Sequence, residues 1–152
     1  MQRDPFAPGA VHGGVFRRIL VGYDASKEAR RALDVAVSLA ADLHGEAHVL
    51  LVVRPPAHAE TPEERDRAAT AERENLSAGL AGDRDDHPGI ADAAIHTVFG
   101  DDPAEAISQY VEEHGFDLII VGSHGREQMT HRGIGHSLEA ILRRHSCPVL
   151  VV

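Results

Sequence analysis

Very little in this chain ties the fold to anything outside itself. It holds one cysteine, Cys147, which excludes an internal disulfide framework and fits a reducing compartment. No run of apolar residues approaches the roughly 18 needed to cross a bilayer. Positive charge is scarce as well: 15 Lys and Arg against 24 Asp and Glu leave a net charge of −9. That balance argues against nucleic acid or an anionic membrane surface as the main partner. Long linkers and low-complexity segments are missing too. What remains is an ordinary globular composition, 152 residues with 43% hydrophobic and 26% charged, enough for one domain with a normal core. Residues 1–15 contain Pro5, Pro8, Gly9, Gly13 and Gly14 but no continuous apolar stretch. They read as a flexible tail ahead of a domain at 16–152, not as a signal peptide, and the expected address is the cytoplasm.

The apolar residues that are present fall into short buried runs separated by helical periods. Arg17–Tyr23 reads as a first strand, and Ser26 caps a helix in which Ala29, Leu33, Ala36, Val37 and Ala40 recur at helical spacing up to Gly45. His48–Val53 is a second strand, ended by Pro55 and Pro56. Thr61-Pro62-Glu63-Glu64 starts a charged helix running to about Leu80, with Ala68, Ala71, Leu76 and Leu80 to bury. Gly82–Gly89 is expected to be an acidic loop, and Ala93–Phe99 a weaker strand at an edge. Asp102-Pro103-Ala104-Glu105 starts a helix that Gly115 terminates, and Asp117–Val121 is a fourth strand. A last helix from Gly135, with Leu138, Ile141 and Leu142 inward, leads to a fifth strand at Pro148–Val152. The strict alternation implies an α/β domain with a parallel sheet and right-handed crossovers.

In such a sheet, ligands sit beyond the carboxyl ends of the strands where strand order reverses. Two loops there carry ligand-like chemistry. One is Gly22-Tyr23-Asp24-Ala25-Ser26; the other runs from Gly122 to Gly135. The second spaces Gly122, two residues, Gly125, nine residues, Gly135, directly behind a buried strand and ahead of a helix. Glycines let backbone N–H groups approach an anion, and the helix offers its positive end. Between Gly122 and Ser137 lie Arg126, Arg132, His124, His131 and His136 against one acid, Glu127, a basic island that suits a polyphosphate. A plain strand-to-helix connection with solvated charges is the alternative, and it would prevail on Gly-x-x-Gly alone. The spacing is not a Walker loop. Asp24 has two readings, a carboxylate for adenine, ribose or a metal's waters, or an ordinary Asp-Ala-Ser turn. The 11 histidines show no tight ligand spacing, and no nucleophile elbow appears, so neither a metal nor a catalytic centre is expected.

These segments together resemble the universal stress protein family. The resemblance runs from Arg17 to Val152 and rests on Ile19–Ser26, Val98–Pro103, Asp117–Arg126 and Cys147–Val152. It implies a Rossmann-like, adenine nucleotide alpha hydrolase-like domain: an open five-stranded parallel sheet in the order 3-2-1-4-5 with helices on both faces. It also implies a homodimer paired through Pro148–Val152, an apolar edge that should be covered.

Nucleotide-binding members of the family carry Gly-x-x-Gly, nine residues, then Gly-Ser or Gly-Thr. Here Gly122, Gly125 and Gly135 match, but His136 fills the Ser/Thr slot and Ser137 follows. Glu139, three residues on, keeps the register of a capping box. The resemblance implies Asp24 and Val53 at adenine and ribose, and Ala25 in the turn beneath them. It implies Gly122, His124, Gly125, Arg126, Gly135, His136 and Ser137 at the phosphates of ATP, with magnesium. Three functions therefore compete: an ATP-binding regulatory module with a partner protein that the sequence does not identify, a nucleotide-free dimer working through protein contacts, and an enzyme, such as an adenylating or ATP-cleaving relative of similar architecture. The last lacks the Ser-Gly-Gly-type loop such enzymes use after their first strand.

Overall fold

A computed structural model describes residues 15–54, 58–86, 94–123, 136–144 and 147–152, apart from the side chains of residues 83, 84, 86, 136 and 137. Five strands, β1 (Arg18–Tyr23), β2 (Glu46–Val53), β3 (Ile95–Phe99), β4 (Leu118–Val121) and β5 (Val149–Val151), form one sheet. Every pairing is parallel and the order is β3-β2-β1-β4-β5, as expected. The central strands explain themselves. Ile19, Leu20, Val21, Ile119 and Ile120 are wholly inaccessible, because a parallel strand covered on both faces needs apolar residues at successive positions.

Alternation then assigns the faces. Leu20, Leu50, Ile119 and Val121 meet α3 (Pro103–His114) and α4 (His136–Arg144) through Ile107, Val111, Leu138 and Ile141. Ile19, Val21, Leu118 and Ile120 meet α1 (Lys27–Leu43), while Tyr23, Val49, Leu51 and Val53 share a cluster with Leu33 of α1 and with Leu76 and Leu80 of α2 (Pro62–Asp86). No polar or charged residue is buried among the described residues.

The helix starts follow their sequence signals. Ser26 Oγ accepts the Ala29 N–H at 3.0 Å, and Asp102 Oδ1 accepts those of Ala104 and Glu105 at 2.9 and 3.4 Å. Thr61 and Glu64 form a reciprocal capping box, each side chain accepting from the other's backbone at 3.2 Å. Gly115 closes α3 at φ 66°.

Elsewhere the structure corrects the expectations. Residues 82–86 continue α2 rather than forming a loop, so only 87–89 of that acidic segment lie outside the described residues. A single glycine weakens a helix by about 1 kcal/mol and does not by itself end one. Along α2, Ala69 is buried and Ala71 exposed: the stripe is Ala69, Leu76 and Leu80, at helical spacings of seven and four. In α4, Leu138 and Ile141 are buried but Leu142 is 43% exposed, because it sits on the opposite flank of Leu138 from Ile141. At the end of α1 the left-handed residue is His44 (φ 54°), not Gly45. Gly45 is required for space instead, since a Cβ there would stand 2.8 Å from the Phe16 carbonyl oxygen.

His44 thus carries a side chain in a conformation that costs an L-residue about 1 kcal/mol, and it is exposed. His44→Gly should raise stability by about 0.5–1 kcal/mol in urea unfolding. A loss of stability would show that the imidazole makes a compensating contact.

Candidate functional site

Strands β1 and β4 are neighbours, yet their crossovers leave on opposite faces, α1 on one and α4 on the other. The crevice beyond their carboxyl ends lies between the β1–α1 turn and the end of β4. In the turn, the Ser26 N–H donates to Asp24 Oδ1 at 2.9 Å, so the aspartate stabilises the turn that leads to the Ser26 cap. Ala25 between them has φ 62°, a left-handed backbone on a residue with a Cβ. Strain of this kind collects at ligand sites. Helix α2 lies directly on the turn: a Cβ on Gly79 would stand 3.2 Å from that of Ala25 and 3.5 Å from the Tyr23 hydroxyl.

Gly122 closes the other side. A Cβ there would fall 2.6 Å from Glu28 Cβ and 2.9 Å from the Glu28 backbone carbon. The end of β4 and the first turn of α1 therefore touch main chain to main chain, which only glycine permits. Beyond it, the Ser123 N–H donates to the Val152 carbonyl at 2.8 Å and is committed to the sheet.

On the far side of β1, the Val53 side chain is wholly buried in the core, and its carbonyl accepts the Gly100 N–H at 3.1 Å. Its side chain is a packing group. Any ligand contact there falls to the main chain or to Arg54, whose Nε donates to the Asp101 carbonyl at 3.1 Å.

Sequence reasoning passed over both Arg54 and Gly79. The available signal for Arg54 was a lone cation between the apolar run of β2 and a proline pair; nothing in the charged α2 pattern singled out Gly79.

Of the expected site residues, Asp24, Ala25 and Gly122 come together around the start of α1, and Val53 lies at the end of the adjacent strand. His124, Gly125, Arg126 and Gly135 lie outside the described residues, and His136 and Ser137 are the first two residues of α4. Glu139, in the first turn of α4, pairs with Arg143 at 2.7 Å. Cys147 is half-buried, and burial, then the Asp117 carboxylate, push its thiol up, away from nucleophilic chemistry. Among the described residues no group of three or more His, Cys, Asp or Glu side chains is arranged to hold a metal ion.

The family model described as "Universal stress protein family" matches residues 16–152. The chain is 27% identical to the universal stress protein YxiE of Bacillus subtilis over 91% of this chain and 99% of that one. A match to a universal stress protein of Synechocystis is 41% identical but spans only 30% of this chain and 16% of that protein. The fold superposes on universal stress protein UspA from Lactobacillus plantarum with a TM-score of 0.78, at 22% identity over 90% of this chain and 97% of that one. It also resembles a universal stress protein solved in complex with cAMP, with a TM-score of 0.61, 23% identity, and 90% and 96% coverage.

Because Gly122 meets backbone atoms that cannot swing aside, Gly122→Ala should destabilise the fold by about 2 kcal/mol or more in urea unfolding. The control is Gly82→Ala in α2, where a Cβ meets nothing within 4 Å. That change should stabilise by up to about 1 kcal/mol. Equal effects from the two would contradict the close contact.

Proposed function

Since the chain belongs to the universal stress protein family, we propose that it is an ATP-binding regulatory module that works as a homodimer, in the cytoplasm, through a protein partner. The observation that carries this reading is the paired geometry at the sheet reversal: a strained turn at Asp24–Ser26 on β1 beside a glycine-tight exit at Gly122 on β4. The relative in complex with cAMP lends support for an adenine nucleotide as the ligand class. The nucleotide lies with adenine and ribose toward Asp24, Ala25 and the Val53 main chain. Its phosphates lie toward Gly122, His124, Gly125, Arg126, Gly135, His136 and Ser137, with magnesium on the triphosphate.

The residues fit such a ligand in one respect and depart in another. The turn and the exit of β4 stand together at the reversal, but Gly122 and Asp24 each have a packing reason for being there. The second reading, a nucleotide-free dimer, draws on that fact and on His136 in the Ser/Thr slot. Dimer pairing through Pro148–Val152 is supported by the β5 edge, which among the described residues pairs with β4 alone and leaves Leu150 and Val151 38% and 39% exposed. The role is regulatory and not catalytic: the sequence carries neither a nucleophile elbow nor a Walker loop.

Protein purified and then denatured should release an adenine nucleotide detectable by absorbance and chromatography. In calorimetry with ATP and magnesium, His136→Ser should bind about fivefold more tightly than wild type, the worth of one neutral hydrogen bond. Gly125→Val should not bind, because a side chain then occupies the path of the phosphate. Unchanged affinity in Gly125→Val would remove the glycine loop from the site. No binding by wild type or by His136→Ser would leave the contact-only dimer.

A further inference from the structure

At the opposite, amino-terminal end of the sheet, three histidines gather with Tyr110, Phe116 and Arg18 on the α3 face. His48 of β2 and His96 of β3 stack with ring centroids 5.3 Å apart, and His48 Nδ1 stands 3.0 Å from His96 Nε2. The Glu46 carboxylate, also on β2, lies 3.3 Å from His48 Nε2. From α3, Tyr110 packs on His96 at 5.5 Å and on the His114 ring at 4.0 Å. Phe116 meets His48 edge-on at 5.2 Å and carries the Arg18 guanidinium of β1 over its face at 4.8 Å. Arg18 also donates to the His114 carbonyl at 2.6 Å. Asp117 accepts the Arg17 and Arg18 N–H groups, and the Cys147 thiol ahead of β5 donates to the Phe116 carbonyl at 3.7 Å.

The hydrogen bond between two imidazoles works only while one facing nitrogen keeps its lone pair. If His48 Nε2–H donates to Glu46, then His48 Nδ1 accepts from His96 Nε2–H; one added proton is accommodated by reversing the donor. A second is not. With both rings charged, N–H faces N–H at 3.0 Å in a half-buried site that already contains Arg18.

We propose that this histidine pair is an acid-sensitive latch: it holds edge strand β3 and the last turn of α3 to the sheet near neutral pH, and lets them go when both rings are protonated. The strand it serves is a lightly held edge of the sheet. β3 pairs with β2 alone, its Phe99 is 60% exposed, and none of its five residues is fully buried.

Burial, then His48, His114 and Arg18, lower the affinity of His96 for a proton. The unfolded chain takes up that proton at the ordinary imidazole value, 6.5. As pH falls below it, the unfolded state binds more protons than the folded state, so stability is present above pH 6.5 and is lost on acidification.

The test compares wild type with His96→Gln and His48→Gln, which cannot charge. On going from pH 7.5 to pH 5, the wild-type Tm should shift down by more than that of either variant. Hydrogen exchange, corrected for its intrinsic pH dependence, should show loss of protection in Ile95–Phe99 and near His114 before β1 or β4. If the variants do not fold, ring titration of wild-type His96 by NMR decides. A midpoint below the ordinary imidazole value, with simultaneous loss of β3 protection, supports the latch. A midpoint at or above it, protection in β3 that ignores pH, or variants with the same Tm shift as wild type would overturn it.

Discussion

The contact between the backbone at Gly122 and the backbone at Glu28 is the constraint on which the crevice depends. β1 and β4 pair through Ile19–Val21 and Leu118–Ile120, and two residues beyond that ladder the exit of β4 meets the first turn of α1. A side chain at Gly122 would force α1 away, and with it the Ser26 cap, the Asp24 turn and the left-handed Ala25. Helix α2 presses on the same turn through Gly79, so two helices and two strands fix a segment of three residues. Such over-determination is what allows a strained backbone to persist.

Much of the fold was legible in the sequence because its signals were local and agreed with one another. The apolar runs at β1 and β4, the caps at Ser26, Thr61 and Asp102, and the glycine at 115 each specify structure within a few residues. The misreadings came where a local signal competes with packing. Gly82 looked like a helix end, yet no steric demand stops the helix there. Gly45 looked like the left-handed residue, but the crowding by Phe16 that actually requires it is set by the lead-in to β1, far away in sequence. For the site, the glycine spacing pointed to the carboxyl end of the sheet. It did not reveal that Gly122 is demanded by helix packing, that Val53 turns its side chain into the core, or that Arg54 stands beside it. Those facts depend on which atoms meet across the sheet.

The two ends of the sheet divide the chemistry. The carboxyl end has close backbone contacts and a left-handed turn at the β1–β4 reversal. The amino end gathers rings and titratable groups between β2, β3 and α3. The second set lies at one edge of the sheet, while the first sits between its best-buried strands. The proposed ligand would thus rest on the better-buried strands, away from the lightly held edge at β3.

The account stands most directly on where a nucleotide touches the protein. Backbone amide shifts recorded by NMR, with and without ATP and magnesium, should move at residues 22–26, 53–54 and 122–137 and stay in place along the amino-terminal ends of the strands. Shifts confined to β3 or the exposed face of α2, with the segments around Ala25 and Gly122 silent, would contradict it.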